Sequence, residues 1–327
     1  MIEQISQGAP DHFGLFLRTF LQLVRTRLAS EPALNQQDLV VLMLQAEVES
    51  RHPSMPPEFR RNHVFPQLAR IYDREFRHQA LGWAAEWARS RNRSFKIFGR
   101  DWHAHPILGQ FAAGEIDNGE PLRCLYRASS VNLQINGYAS LHQRLLDGIA
   151  SGGFVLSRYN PADFVRQPFA AIARMIREHR MMNLEDVMRW RAADDEFRAA
   201  CDQAERLSGM CIAPLTTSTR TAQVSVLRQG NPVPALLTDD SLFNVLAESH
   251  LIPHRAALDI PGFERTTFRT KQQLHDLLDQ YVDAPGDRDA ITRMMRPAVL
   301  ANDSYDGVVD QILRHFASLP ETPCAGC

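Results

Sequence analysis

The alternation of short apolar runs with helical patterns over residues 94–160 constrains the fold of this chain more than any other feature. Residues 95–98 (FKIF), 131–135 (VNLQI) and 154–156 (FVL) read as buried strands. Residues 106–113, 120–128 and 140–151, between them, read as helices. Strand, helix, strand at this spacing predicts crossover connections and a parallel sheet, hence an α/β fold. Two strand ends open into polar turns, Gly99-Arg100-Asp101-Trp102 and Asn136-Gly137-Tyr138. Open parallel sheets bind ligands at the carboxyl ends of their strands, so a small-molecule site is expected at these turns.

The flanking sequence reads as helix. Residues 1–90 carry apolar positions at helical spacing, such as Phe13, Phe16, Leu17, Phe20, Leu21 and Val24. The stretch 50–59 holds three prolines and breaks the pattern, and a further helix is expected over about 62–90, with Pro66 in its first turn. Asn160-Pro161 can start a helix, with Asn160 as its cap, and helices continue to about residue 207. Residues 208–262 are mixed, with turn signals at Gly230-Asn231-Pro232 and Pro261-Gly262. Short strands are expected at 224–227 and 264–268. The last stretch is helical again, with starts at Thr270, Asp287 and Ser304. Leu274, Leu277, Leu278 and Tyr281 form one apolar stripe, and Val308, Val309, Ile312, Leu313 and Phe316 another. The expected organisation is a helical region at 1–90, an α/β domain from 91–160 plus 263–320, and a mostly helical insertion at 161–262.

At 327 residues the chain has room for two domains, or for one with a large insertion. A formal net charge of −2 gives no reason to expect nucleic-acid binding or attraction to acidic membranes. Arginine greatly outnumbers lysine, which suits recognition of phosphate or carboxylate but is better explained by GC-rich coding. No apolar run approaches the roughly 18–20 residues of a membrane span. The first residues are polar rather than signal-like, so a cytoplasmic protein is expected. The five cysteines do not form a secreted disulfide framework. Cys324 and Cys327 supply two thiols where a structural zinc needs about four ligands, so no metal site is expected there.

The chemistry-bearing residues gather at 140–154, SLHQRLLDGIASGGF. Arg144 and Asp147 are i,i+3 neighbours on one helix face. The start of that helix faces the strand-end crevice, where its N–H groups suit an anion. Arg144 could clamp a phosphate, and Asp147 could accept hydrogen bonds from a sugar diol. An ordinary surface pair between the two fits the same spacing. His103 and His105 read as polar loop residues, and His63, His78 and His275 as surface or satisfied residues. Asp194-Asp195 lies in a helical pattern rather than at a strand end, so no obligatory metal is expected. Neither a G-x-x-x-x-G-K-[ST] loop nor a G-x-G-x-x-G or G-x-S-x-G motif is present.

The segment resembles the C-terminal, nucleotide-sugar-binding half of GT-B-fold glycosyltransferases of the group-1 type. The resemblance rests on Ile97-Phe98-Gly99-Arg100-Asp101-Trp102, Gly114-Glu115-Ile116, Tyr126-Arg127-Ala128-Ser129-Ser130-Val131-Asn132-Leu133 and the run from Arg144 to Gly153. It resumes over Phe268–Leu274 and the helices that follow, and covers roughly 70–160 and 263–318. It implies a Rossmann-like domain that binds a UDP-, GDP- or similar nucleotide sugar, transfers the sugar to an unknown sugar or protein acceptor, and uses no cofactor.

By that resemblance Asp147 holds the ribose hydroxyls and Arg144 faces the diphosphate, with Arg100 a second candidate. The turn after Phe98, which contains Gly99, and the turn after Ile116 hold the base, and Gly137 is a further donor-binding residue. His142 and Gln143 sit near its sugar or phosphate. Trp102 either walls the pocket or lies in the core. Arg74 and Arg77 are weaker phosphate candidates and read better as solvated helix charges. The chain departs from the pattern at Ala139, where many members carry a second acidic residue, and residues 1–90 do not supply a second Rossmann-like domain. The expectation is therefore a glycosyltransferase-like protein, with a missing N-terminal domain or partner chain, or else a non-catalytic binding or interaction module. A helical scaffold without ligand is the third reading.

Overall fold

Two helices begin the part of the chain that the computed structural model describes, namely residues 11–208, 212–213, 223–228, 231–236, 239–247 and 257–304, with 307, 309 and 313. Helix α1 spans Asp11–Ser30 and α2 spans Gln36–Glu49. Asn35 starts α2 with a capping box: its side chain accepts from the Asp38 N–H at 2.9 Å, and the Asp38 carboxylate accepts from the Asn35 N–H at 2.8 Å. A helical turn at Pro57–Phe59 and a π-helical turn at Arg60–Val64 lead into α3, Phe65–Ser90. Pro66 occupies the first turn of α3, where its missing N–H leaves no bond unmade. The inner face of α3 buries Leu68, Ile71, Tyr72, Phe76 and Ala80. The Tyr72 hydroxyl accepts from the Leu34 N–H at 3.0 Å and so ties α3 to the turn between α1 and α2.

The central segment contains the expected parallel sheet in reduced form. Helix α4 (Glu120–Ala128) precedes β1 (Asn132–Gln134), α5 (Gln143–Ala150) and β2 (Val155–Arg158). Strands β1 and β2 pair in parallel, Leu133 opposite Leu156. A short β5 (Thr267–Phe268) adds in parallel to the other side of β2, giving the order β1-β2-β5. Three expectations fail here. Residues 95–98 do not join this sheet: Ile97 bonds instead to Phe111 and Ala113, each at 2.8 Å. Residues 106–113 form tight 3₁₀ turns rather than a helix. The His105 ring accepts the Ile107 and Leu108 N–H groups, and Gly109 packs against the His103 carbonyl where a Cβ would stand only 2.7 Å away. Gly114-Glu115-Ile116 is not a regular strand either, although the Gly114 carbonyl accepts from the Gly99 N–H at 2.8 Å.

After β2, Asn160 caps only a 3₁₀ turn at Pro161–Asp163, and the next helix, α6, begins at Arg166 and runs to Glu178. Helices α7 (Leu184–Ala193) and α8 (Asp195–Ser208) follow. Asp194 separates these two and caps α8 by accepting the Phe197 N–H at 2.7 Å. Strands β3 (Gln223–Arg228) and β4 (Asn231–Leu236) pair antiparallel, so Asn231 and Pro232 belong to a strand rather than to the expected turn. Helix α9 (Asp239–Ala247) comes next, and residues 263–266 form a 3₁₀ turn before β5. Helix α10 (Lys271–Tyr281), capped by Thr270, and α11 (Pro285–Asp303) complete the regular structure.

Two hydrophobic clusters hold these elements together. One joins α1–α3, the parallel sheet, α5, α10 and α11 through residues such as Phe16, Leu68, Leu145, Leu156 and Leu274. The N-terminal helices thus share a core with the sheet. The second is built from α6–α9 around Ile172, Val187, Phe197 and Leu242. The Leu274 stripe is core, as expected. Of the later stripe, Val309 and Leu313 are exposed. Its remaining residues, Cys211 and the pair Cys324 and Cys327 lie outside the described residues. No helix of the described residues is long and apolar enough to cross a membrane.

Candidate functional site

A cleft of about 1660 Å³ opens between α3, the 94–116 segment and the free edge of β1. Strand β1 lies at the sheet edge, with its other side on β2. Residues 97–99 and 132–134 line the same cleft. The loop that leaves β1 is held by two parts of the chain. Gly137 is buried against α3, where a Cβ would meet Asp73 Cα and Tyr72 Cε1 at 3.1 Å, and its N–H donates to Asp73 Oδ1 at 2.9 Å. Asp163 is buried and accepts the Ser140 N–H at 3.0 Å. Burial pushes the Asp163 carboxyl up to about 6 against the pull of those hydrogen bonds. The Asn160 amide donates to the Asn136 carbonyl at 3.2 Å. These contacts set where α5 begins.

His142 is the N-cap of α5, its Nδ1 accepting from the Arg144 N–H at 3.3 Å. Burial lowers its pKa first, with Arg144 and Arg77 acting in the same direction. Behind α5, Gly148 packs on Val155 and Tyr126, and Gly153 packs on the Tyr126 carbonyl. These close approaches hold α5 against β2 and α4.

Arg144 lines the large cleft. Asp147 lines an adjoining hollow of about 530 Å³ at the start of α4. Asn118, Leu122 and Tyr126 border both spaces. Arg144 and Asp147 form no ion pair with each other, so the surface-pair reading does not describe them. Burial raises the pKa of Asp147, with the Gln143 amide opposing it. Burial raises the pKa of the half-buried Tyr126 hydroxyl, with Arg144 favouring its ionisation and Asp147 opposing it.

The other expected residues divide between these places. Gly99, Arg100, Trp102 and Ile116 line the large cleft, and Gln143 lines the hollow with Asp147. Gly137 and His142 line neither. Arg100 pairs with Glu115 at 3.1 Å. Trp102 is half-buried beside His78, with ring centroids 5.4 Å apart, so it walls the cleft.

The weaker phosphate candidates Arg74 and Arg77 also line the cleft, Arg74 as an exposed side chain. Arg70, Arg74, Arg77 and His78 present one face of α3 to the cleft. Arg77 pairs with Asp73. Arg70, Arg74, Lys96 and Arg144 all line the cleft without an ion-pair partner among the described residues. Cleft-lining carboxylates are confined to Asp101 and Glu115, so positive charge dominates the cavity. Among the described residues no group of His, Cys, Asp and Glu is placed to hold a metal ion. The arrangement can bind an anion through guanidinium groups and, at Asp147, accept hydrogen bonds from hydroxyls.

These features define the class as a mostly helical α/β chain with a small parallel sheet and a basic cleft at its edge. No protein-family model, curated protein or solved structure matches the chain.

Proposed function

We propose that this chain binds a nucleotide-diphosphate sugar in the basic cleft and acts as a metal-independent, glycosyltransferase-like protein built on a reduced Rossmann-like sheet. The observation that carries the reading is the set of unpaired cations, Arg70, Arg74, Lys96 and Arg144, lining one cleft beside β1 and α5. A leaving diphosphate needs positive charge and hydrogen-bond donors placed before the reaction begins, and guanidinium groups meet that need without a metal. The Asp147 hollow adjoins the cleft, so a ligand anchored by its diphosphate at Arg144 can reach Asp147 with its ribose diol. Tyr126 borders both spaces and would lie along the connecting portion.

The test is to incubate the chain with UDP- and GDP-sugars, measure binding by calorimetry and follow sugar release or transfer by mass spectrometry. The reading expects binding, and a stability gain of about 2–3 kcal/mol at roughly a hundred times the dissociation constant. Binding with no turnover, even with acceptor sugars present, identifies a non-catalytic nucleotide-sugar module. Absence of any nucleotide binding removes both.

A further inference from the structure

The cleft lining contains a pair of histidines whose geometry fixes where their protons reside. His105 Nδ1 faces two backbone donors, the N–H of Ile107 at 3.2 Å and of Leu108 at 3.0 Å. It therefore acts as an acceptor and carries no proton. The proton of the neutral ring sits on Nε2, which lies 3.3 Å from His78 Nδ1. His78 must accept that bond, which places its own proton on Nε2. Nε2 of His78 makes no hydrogen bond to the described protein residues, although the side chain lines the cleft.

The surroundings keep both rings neutral. Burial opposes a positive charge on His78, as do the neighbouring His105, Arg74 and Arg77 from α3 and Arg25 from α1. Glu75 acts in the other direction, on His105. Trp102 packs 5.4 Å from His78, centroid to centroid, and limits rotation of the ring.

We infer that His78 is a ligand-contacting residue of this cleft, its Nε2 proton held in place by His105 and donated to a phosphate oxygen bound beside Arg74 and Arg77. The inference rests on the nucleotide-diphosphate reading of the same cleft and gives it a specific donor on α3. An arginine cluster alone attracts any polyanion. A neutral N–H fixed at one point adds a directional bond that only an oxygen at that position can use.

The test uses the full chain, with inorganic pyrophosphate and UDP-glucose or GDP-mannose as probes. Two-bond ¹⁵N–¹H correlation spectra report the tautomer directly, and wild-type His78 should show a protonated Nε2 and a bare Nδ1 at neutral pH. Calorimetry should show H78F weakening pyrophosphate about tenfold, the size of one hydrogen bond to a charged group. H78Q, whose amide can reach the Nε2 position, should stay within about threefold of wild type. H105F should release the tautomer in the spectra and weaken pyrophosphate by a smaller factor. A His78 protonated on Nδ1, a doubly protonated ring, unchanged binding by H78F, or no pyrophosphate binding by the wild type overturns the inference. The spectra need only the wild-type protein, so they decide the tautomer even if H78F fails to fold. The two claims also separate. Pyrophosphate binding that depends on His78, without affinity for nucleotide sugars, sinks the donor-substrate reading alone. Nucleotide-sugar binding that H78F leaves unchanged sinks the role of His78 alone.

Discussion

Asp163 makes a quantitative prediction, because its burial sets the pH dependence of stability. Its carboxyl sits beneath the loop that positions α5, accepts the Ser140 N–H at 3.0 and 3.2 Å, and titrates at about 6 rather than at its ordinary 3.8. In the folded chain, therefore, it binds a proton more tightly than in the unfolded chain. Between roughly pH 4 and 6 the folded state holds more protons, so this group's contribution to stability falls as pH rises and is fully lost above about 6. The gap of about two pH units, at about 1.4 kcal/mol each, makes this contribution about 3 kcal/mol. Asp163→Asn keeps an oxygen acceptor and removes the titration. Urea unfolding of wild type and variant at steps from pH 4 to 7.5, read by tryptophan fluorescence, should give a difference curve in which the wild type loses about 3 kcal/mol relative to the variant. Taking the difference cancels groups that shift the other way, such as His78, whose pKa is lowered to about 4. A carbon-13 titration of the Asp163 carboxyl should show its midpoint near 6. A flat difference curve, or a midpoint below about 4, would refute the assignment of burial as the dominant cause.

Other substitutions test the packing around the site. Gly153→Ala places a Cβ 2.7 Å from the Tyr126 carbonyl and 3.1 Å from that of Gly148, so backbone must move; thermal or urea unfolding should show a loss of about 2 kcal/mol or more. Tyr72→Phe removes the acceptor of the buried Leu34 N–H and should cost about 1–3 kcal/mol in the same assay, with no change in ligand affinity beyond that expected from partial unfolding. A chelator should leave nucleotide-sugar affinity unchanged in calorimetry, since the proposed recognition uses guanidinium groups; a large loss on chelation would point to a metal-bridged diphosphate.

The elements that the sequence made legible carry strong local signals. Helix α4 runs from Glu120 to Ala128 as expected, because Gly119 and Pro121 mark its start and the chain turns extended at Ser129. Strands β1 and β2 follow short apolar runs, and Thr270 announces α10 through its hydroxyl cap on Gln273. Residues 106–113 misled because Ile107, Leu108 and Phe111 have helical spacing. The chain instead closes i→i+3 bonds, Phe111 N–H to Leu108 and Ala112 N–H to Gly109, and gives the Phe111 carbonyl and Ala113 N–H to Ile97, a tertiary choice that periodicity does not encode. The FKIF run was legible as extended chain but not as to its partner, since pairing with 111–113 rather than β1 depends on those same turns.

Within the site, Arg144 and Asp147 stood out because they share a short helix with a glycine-rich end. Arg74 and Arg77 were weaker candidates and Arg70 and His78 were not singled out, because a basic stripe on a long helix usually faces solvent. The 94–116 segment makes that stripe one wall of a cleft, with Arg77 and His78 half-buried and Arg70 and Arg74 still exposed. A signal was nonetheless present: these residues recur at i, i+4, i+7 and i+8 on the helix next to the first extended segment. His142, expected near the donor, is the N-cap of α5 and lines neither space.

The central claim is that Arg144 and Asp147 hold different parts of one ligand across adjoining spaces. Calorimetric titration of wild type, Arg144→Ala and Asp147→Ala with pyrophosphate and with UDP and GDP tests it most directly. The account predicts that Arg144→Ala weakens pyrophosphate and the preferred nucleoside diphosphate alike, by about tenfold, whereas Asp147→Ala weakens only the nucleoside diphosphate. Equal affinity of all three proteins for every ligand, or loss of pyrophosphate binding in Asp147→Ala, would contradict it.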